Sequence, residues 1–335
     1  MLRAVITGAR EAKLVETTVP SPKEHWALVR VTVAPMCTEY KQWLAGTPGE
    51  YLGHEAVGEV VETAQPGRVR AGDRVVVQPL YACGSCPVCV QGEHIHCEEG
   101  PTPAAFTGSR EGSATMAEYL LKPDWLLSRI PPDVSDEEAA LALCTLGPSF
   151  GAFQRIELRA HETVLITGLG PVGLGAVANA VFRGARVLAV ESNPFRAERA
   201  RKLGAEQVFN PSDPETPARL RASNPPIDCA VDCSGSPAAH RLLIDSVRRK
   251  GRIAFVGECS QDTVIRISPD LIRKGLTLIG SWHYNLAEFP RLLQVIRRLS
   301  NRDLLVSHRF PLTEIQTAFE TLAGQETAKV LLTTR

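Results

Sequence analysis

The stretch Val164-Leu-Ile-Thr-Gly168-Leu-Gly170-Pro-Val-Gly173 decides the fold of the second half of the chain. Its apolar start predicts a strand that runs straight into a glycine-rich turn and then a helix. The three glycines permit a tight turn, a close pyrophosphate and close helix–strand packing, and free N–H groups at the helix start attract phosphate. The stretch therefore predicts a dinucleotide site made of Gly168, Gly170, Pro171, Val172 and Gly173. The alternative is a glycine run that serves packing alone.

An acidic residue follows at the distance that such a site requires. Glu191 ends the next apolar run, 23 residues past Gly168. A carboxylate there accepts hydrogen bonds from the ribose hydroxyls and repels a 2′-phosphate, so it predicts NAD rather than NADP. Arg196 and Arg199 keep NADP open as an alternative, and Glu191 read alone could be a solvated acid at a strand end.

The residues around this stretch alternate between apolar runs and helical segments from about residue 163 onward. The predicted strands are Val164–Thr167, Val187–Val190, Cys229–Val231, Ile253–Val256 and Leu276–Ile279. Such alternation predicts an α/β domain with a doubly wound parallel sheet. Ala287–Leu299 has the apolar spacing of an amphipathic helix.

The first third of the chain has a different pattern of apolar residues. Val-rich runs at Trp26–Val33, Ala56–Thr63 and Arg74–Gln78 are separated by Gly and Pro, which predicts a barrel-like β domain. Ser135 and Glu138 then form a capping-box pattern before an Ala/Leu-rich stretch.

Length and composition exclude several classes of protein. The 335 residues suggest two domains, and 44% hydrophobic with 22% charged residues argues against disorder or a coiled coil. Lys+Arg and Asp+Glu both number 37, so the net charge offers no footprint for nucleic acid or an anionic membrane. The N-terminus shows no signal peptide and no apolar stretch predicts a membrane span, so we expect a cytoplasmic protein.

Nine cysteines are an odd number for a disulfide framework, and four of them fall within fifteen residues. Cys83, Cys86, Cys89 and Cys97 have the two-residue gaps that let tight turns present sulfurs to one ion. Four thiolates form a closed tetrahedral site, so the spacing predicts a structural zinc. An iron–sulfur cluster and a catalytic dithiol are the alternatives.

Further motifs resemble one family. Gly53-His54-Glu55-Ala-Val-Gly58, Gly72-Asp73-Arg74-Val75, Leu203-Gly204-Ala205 and Lys329-Val-Leu-Leu stand in the order found in the zinc-containing alcohol dehydrogenases of the medium-chain dehydrogenase/reductase superfamily. The resemblance covers nearly the whole chain. It implies a β-rich, GroES-like catalytic domain over residues 1–147 and 284–335, with the zinc lobe at 83–97, and a Rossmann NAD-binding domain over 148–283.

The resemblance also implies a second, catalytic zinc held by Cys37, His54 and Cys144, with Glu55 as a secondary candidate that ligates or orients the site. Three ligands leave one position open for the oxygen of an alcohol. By the same resemblance Lys329 lies near the cofactor phosphates, and a solvated lysine is the alternative.

The segment Cys37-Thr38-Glu39-Tyr40 departs from the family pattern of Cys-Gly-Ser/Thr-Asp. Because Cys37 stands nine residues before Gly46, as is usual in the family, we prefer a gapless alignment. Glu39 then takes the place of the proton-relay hydroxyl and acts as a base, and Tyr40 replaces the acid that supports His54. If one residue is deleted instead, Thr38 is the relay hydroxyl and Glu39 the supporting acid.

The sequence thus predicts a zinc-dependent, NAD-linked oxidoreductase that acts on a small alcohol or its carbonyl partner. One alternative is a family member that uses zinc, NAD and Glu39 for elimination, epimerisation or hydration; another is a dinucleotide-binding sensor without catalysis. The family resemblance implies a homo-oligomer, either a dimer or a tetramer.

Overall fold

The computed structural model describes residues 1–334, apart from the side chain of Phe106. The chain forms two compact units. The first comprises Met1–Leu143, Asn285–Arg297 and the chain from Val306 onward, and the second comprises Cys144–Tyr284 and Arg298–Leu305.

The strands and helices are as follows in chain order. The strands are β1 (Leu2–Gly8), β2 (Glu11–Glu16), β3 (Trp26–Met36), β4 (Ala56–Thr63), β5 (Arg74–Val77), β6 (Tyr119–Pro123), β7 (Leu127–Arg129), β8 (Thr163–Thr167), β9 (Arg186–Val190), β10 (Gln207–Phe209), β11 (Cys229–Asp232), β12 (Arg252–Phe255), β13 (Thr277–Gly280), β14 (Val306–Pro311) and β15 (Lys329–Thr333). The α-helices are α1 (Glu39–Ala45), α2 (Pro87–Val90), α3 (Pro103–Thr107), α4 (Asp136–Ala140), α5 (Gly147–Arg155), α6 (Pro171–Phe182), α7 (Pro194–Lys202), α8 (Thr216–Arg221), α9 (Pro237–Ser246), α10 (Phe289–Arg298) and α11 (Ile315–Ala323).

The first unit is built on a seven-stranded sheet. Its order is β14-β15-β3-β4-β5-β7, and β6 also pairs with β3. The long strand β3 is antiparallel to β4 along one edge, while β6 and β15 pair in turn with its two halves. In the core of this unit the ring of Trp43 in α1 stacks on Phe319 of α11, with centroids 5.8 Å apart. This stacking fixes α1, the helix that begins three residues after the end of β3.

The second unit contains a six-stranded parallel sheet in the order β10-β9-β8-β11-β12-β13. Numbered within the unit this order is 3-2-1-4-5-6, the order of doubly wound nucleotide-binding folds, in which ligands bind beyond the carboxyl ends of the strands where the order reverses. The central strands are apolar because helices cover both faces, and Leu165, Ala230 and Ile253 are fully buried. The predicted α/β class, with a β-rich unit and a doubly wound unit, is confirmed.

Local predictions are confirmed as well. Ser135 and Glu138 form the capping box at the start of α4. The predicted amphipathic helix is α10, which buries the face that carries Phe289, Leu292 and Ile296. Among the described residues, no helix combines the length and the apolar character needed to cross a membrane.

Candidate active site and metal centres

Four cysteine thiols converge in a lobe between β5 and β6. The Sγ atoms of Cys83, Cys86, Cys89 and Cys97 all lie within 4.8 Å of one another. Cys83 Sγ accepts the backbone N–H of Cys86 at 3.2 Å, and Cys97 Sγ accepts that of Cys83 at 3.3 Å. Backbone N–H groups of Ser85 and Cys86 lower the pKa of Cys83 to about 6. Four soft sulfurs around one point fit a zinc ion and leave no position for a substrate.

A second set of ligand atoms comes from Cys37, His54, Glu55 and Cys144, again within 4.8 Å of one another. Cys37 directly follows β3, and His54 and Glu55 directly precede β4. Cys144 lies between α4 and α5. Two thiols and one imidazole are a donor set found in catalytic zinc sites, which keep one coordination position open.

Glu39, in the first turn of α1, contacts two members of this second set, His54 and Cys37. Its Oε1 lies 2.9 Å from Nδ1 of His54, and its Oε2 accepts the backbone N–H of Cys37 at 2.8 Å. The gapless alignment gave the support of His54 to position 40 and left Glu39 as a free base. The structure contradicts that preference, because one Glu39 oxygen faces Nδ1 of His54 and the other accepts the N–H of Cys37. The geometry favours the alternative with Thr38 as the hydroxyl and Glu39 as the supporting acid.

Thr38 itself is exposed and stands at the N-cap of α1. Its side chain makes no capping hydrogen bond to that helix, so the hydroxyl is not committed to the helix start. Tyr40 packs against the core of the first unit. Because Thr38 is the residue after Cys37, an exposed hydroxyl stands next in sequence to a candidate ligand.

Glu55 is paired with Lys329, although Lys329 was expected near the cofactor phosphates or in solvent. Nζ of Lys329 lies 2.6 Å from Oε1 of Glu55, and the side chains are 1% and 0% exposed, which excludes the solvated lysine. Burial raises the pKa of Glu55 to about 7, although the Lys329 charge opposes the shift. Burial lowers the pKa of His54, but hydrogen bonds to Cys37 and Glu39, together with the charges of Glu55 and Glu39, raise it to about 11. A contact between Lys329 and phosphate stays a prediction.

The glycine-rich turn has the conformation that its sequence demands. Gly168 adopts φ +78°, and a Cβ on Gly173 would collide with the carbonyl oxygen of Gly168, so the helix α6 can pack on β8 only with glycine there. A Cβ on Gly170, in contrast, would meet no atom within 4 Å. Pro171 and Val172 open α6 beside this space. Open space beside free N–H groups is what a pyrophosphate needs.

Glu191 lies against this turn. Its Oε2 accepts the N–H of Leu169 at 2.6 Å, and its Oε1 accepts that of Asn193 at 2.8 Å. Asn193 in turn caps α7 by accepting the N–H of Arg196. The carboxylate is thus fixed at the carboxyl ends of the parallel strands, beside the turn that carries Gly168.

Sequence reasoning missed one group and assigned no contact with a metal ligand to a second. Asp232, at the end of β11, is fully buried and accepts hydrogen bonds from Thr167 Oγ1 at 2.9 Å and Gly235 N–H at 2.9 Å, with His240 Nε2 at 3.1 Å. No local pattern marks it beyond an acid at a strand end. The second group is His283, whose Nε2 lies 3.4 Å from Sγ of Cys144; 139 residues separate the two in the chain.

Family models and related proteins match most of this chain. Residues 23–132 match the alcohol dehydrogenase GroES-like domain, and residues 171–298 match the zinc-binding dehydrogenase family. The chain is 30% identical to the uncharacterized zinc-type alcohol dehydrogenase-like protein YphC of Escherichia coli, over 99% of this chain and 98% of that protein. It is also 30% identical to L-threonine 3-dehydrogenase of Paraburkholderia phymatum, over 99% of both.

Solved structures are similar as well. The alcohol dehydrogenase TADH from Thermus sp. ATN1 superposes with a TM-score of 0.90 at 29% identity, over 100% of both chains. One of these relatives is named as zinc-type, the family model over residues 171–298 is named as zinc-binding, and the two sets of ligand atoms found here fit zinc. The chain therefore belongs to the zinc-containing alcohol dehydrogenase family and is a zinc-dependent oxidoreductase.

Proposed function

We propose that this protein transfers a hydride between NAD and a small alcohol, or the aldehyde or ketone that corresponds to it. The observation that carries the proposal is the convergence of Cys37, His54 and Cys144 ligand atoms within 4.8 Å. Zinc bound there would polarise the substrate oxygen, and NAD would exchange the hydride. Relatives that are named for L-threonine and sorbitol support a substrate with a hydroxyl group.

In this proposal Cys37, His54 and Cys144 hold the catalytic zinc, and the four-cysteine lobe holds a second, structural zinc. Glu39 occupies Nδ1 of His54, which leaves Nε2 for the metal. Glu55 lies 3.7 Å from that Nε2 and stays the secondary candidate for ligation. Its pairing with Lys329 supports an orienting role, because the ammonium already neutralises the buried carboxylate.

Thr38 moves the proton of the substrate hydroxyl toward solvent. Its hydroxyl is next to a candidate ligand, is exposed, and is free of helix capping. A hydroxyl both donates and accepts, so it can pass a proton without holding a charge. The alternatives of elimination, epimerisation and hydration depended on Glu39 as a free base, and its contacts with His54 and Cys37 weaken them.

NAD is proposed to lie at the carboxyl ends of β8 and β9. The open space at Gly170 and the start of α6 at Pro171 and Val172 would take the pyrophosphate. Glu191 would accept a hydrogen bond from the ribose, because its Oε2 retains a lone pair after bonding the N–H of Leu169. The same carboxylate would repel the 2′-phosphate of NADP, even with Arg196 nearby.

The family resemblance supports two further proposals. Residues 1–147 and 284–335 form the catalytic domain and residues 148–283 the NAD-binding domain. The protein assembles as a homodimer or homotetramer, which sedimentation of the purified protein would measure directly.

The proposed reaction is tested by following absorbance at the NADH band. Primary, secondary, aromatic and polyol alcohols are offered with NAD or NADP, and the matching aldehydes and ketones are offered with NADH. The control is the same protein after removal of zinc by a chelator. We expect steady NADH formation with at least one alcohol and none after chelation. Substrate conversion without net NADH, or no reaction in either direction by zinc-loaded protein that binds NAD, would overturn the proposal.

A further inference from the structure

We propose that His283 is a positioning residue that donates a hydrogen bond from its Nε2–H to the Cys144 thiolate. This inference rests on the proposed role of Cys144 as a zinc ligand. It assigns to His283 a task that differs from ligation, since its nitrogens are not among the atoms of Cys37, His54, Glu55 and Cys144 that all lie within 4.8 Å of one another.

The contact itself is short and buried. Nε2 of His283 lies 3.4 Å from Sγ of Cys144, within hydrogen-bond distance for sulfur. The His283 residue is 4% exposed and the Cys144 residue 8% exposed. Water therefore competes little for either group, and a hydrogen bond between them is worth more than one on the surface.

The backbone around His283 is held in an unusual conformation. His283 has φ +58°, a left-handed value that is uncommon for any residue other than glycine. Helix α5, which begins three residues after Cys144, packs against the segment that carries His283. A Cβ on its Gly151 would collide with the carbonyl oxygen of His283, and its Phe150 packs edge-on against Tyr284. The segment that carries the thiol and the segment that carries the imidazole are thus fixed to each other.

The protonation state of a metal-bound cysteine determines the direction of the hydrogen bond. A cysteine that binds a metal does so as a thiolate and has no proton to give. The proton between the two atoms must then belong to Nε2 of His283, which donates while Sγ accepts. Such a bond withdraws charge from the sulfur and holds the Cys144 rotamer, the two ways in which groups outside a metal's ligand set tune it.

The test uses two substitutions that differ in reach. Asparagine tolerates the left-handed backbone, so His283→Asn should fold, but its amide is too short to reach Sγ. His283→Gln places an amide N–H at about the distance of Nε2 and should rescue the contact. Cys144→Ser is the third variant. The measurements on full-length protein are zinc per chain after dialysis against a chelator, and the sulfur-to-metal charge-transfer band after replacement of zinc by cobalt(II).

We expect His283→Asn to bind one of its two metal ions roughly 10- to 100-fold more weakly. We also expect its charge-transfer band to move to longer wavelength, because a sulfur without the hydrogen bond gives up electrons more easily. His283→Gln should stay close to wild type in both measurements. The four-cysteine lobe contributes equally to all variants, so difference spectra isolate the other site.

An unchanged band and unchanged metal retention in His283→Asn would overturn the inference, provided that Cys144→Ser loses one metal. Equal changes in His283→Asn and His283→Gln would overturn it too, because they would show a packing role alone. If Cys144→Ser keeps both metals, the proposed zinc site fails, and the inference fails with it.

Discussion

The carboxylate of Glu39 lies 2.9 Å from Nδ1 of His54, and its other oxygen accepts the backbone N–H of Cys37 at 2.8 Å. One acid in the first turn of α1 therefore fixes two candidate metal ligands that stand 17 residues apart in the sequence. An acid used in this way holds an imidazole in one orientation and raises its basicity toward a metal. The same contacts make it a poor general base, since its oxygens are turned toward the ligands.

The first prediction concerns this contact. In Glu39→Gln the new amide can still accept from Cys37, but its NH₂ cannot accept the N–H at Nδ1 of His54. We expect one of two zinc ions to bind roughly 10- to 100-fold more weakly, with a similar loss in kcat/KM. Zinc analysis and steady-state rates measure both. Tyr40→Phe, which changes the next residue, should leave both unchanged.

The opposite outcome is equally clear. A general base typically contributes about 10²–10⁴ in rate. Full zinc retention in Glu39→Gln with a rate loss of that size would restore the gapless alignment and Glu39 as the base.

The second prediction concerns Thr38. Thr38→Val keeps the shape and removes the hydroxyl, so the rate should fall by roughly 10²–10⁴ while zinc and NAD binding are retained. Thr38→Ser keeps a hydroxyl at the same place and should recover most of the activity. A valine variant that runs at the wild-type rate would exclude the relay.

The third prediction concerns the two metal centres. Elemental analysis of freshly purified protein should give two zinc ions per chain. Cys89→Ser should mainly lower the free energy of unfolding, because structural zinc binding is coupled to folding. Cys37→Ser should fold, keep one zinc and lose activity. Thermal unfolding and rates separate the two, and one zinc or none in the wild type contradicts the scheme.

Features that depend on short-range spacing could be predicted from the sequence. The four cysteines of residues 83–97 converge because tight turns bring near neighbours together. The turn at Gly168–Gly173 forms because its steric demands are local. The capping box at Ser135 needs only the residue three places on.

Features that depend on long-range packing could not be predicted from the sequence. A shift of one residue in the alignment decides whether Glu39 or Tyr40 is expected to face His54. Only the packing of helix α1 in the structure shows that it is Glu39. The pairing of Lys329 with Glu55 joins residues 274 apart in the chain, and no local pattern marks either as a buried ion pair. A buried charge needs a partner, but the sequence does not say which one.

The fourth prediction concerns the choice of cofactor. Glu191→Ala removes the carboxylate proposed to bind the ribose, and a lost hydrogen bond to a charged group costs about 1.5–3 kcal/mol, or roughly 10- to 150-fold in affinity. The NAD/NADP preference in kcat/KM should fall accordingly. Glu198→Ala removes an exposed acid from the nearby helix α7 and should not alter the preference. An unchanged ratio in Glu191→Ala would show that another residue selects the cofactor.

The last prediction concerns Lys122, a buried lysine in β6. Its Nζ donates to the carbonyl oxygen of Leu80 and lies 4.2 Å from the ring centroid of Tyr81. Burial lowers the pKa of Lys122 to about 7, from an ordinary value of 10.5. Burial also lowers the pKa of the neighbouring His94 to about 4 and raises that of Tyr81, so neither titrates between pH 7 and 9.

Between pH 7 and 10.5 the unfolded chain therefore holds a proton on Lys122 that the folded chain lacks, and the free energy of unfolding rises with pH. Lys122→Met keeps the length of the side chain and removes this titration. From pH 7 to 9 the rise in unfolding free energy should be smaller in the variant than in the wild type by about 2 kcal/mol. Urea unfolding of both proteins at the two pH values measures the difference, and zinc loading must be equal in all four samples. Equal pH dependence in the two proteins would show that the folded protein keeps Lys122 charged, held by the Leu80 carbonyl and the Tyr81 ring.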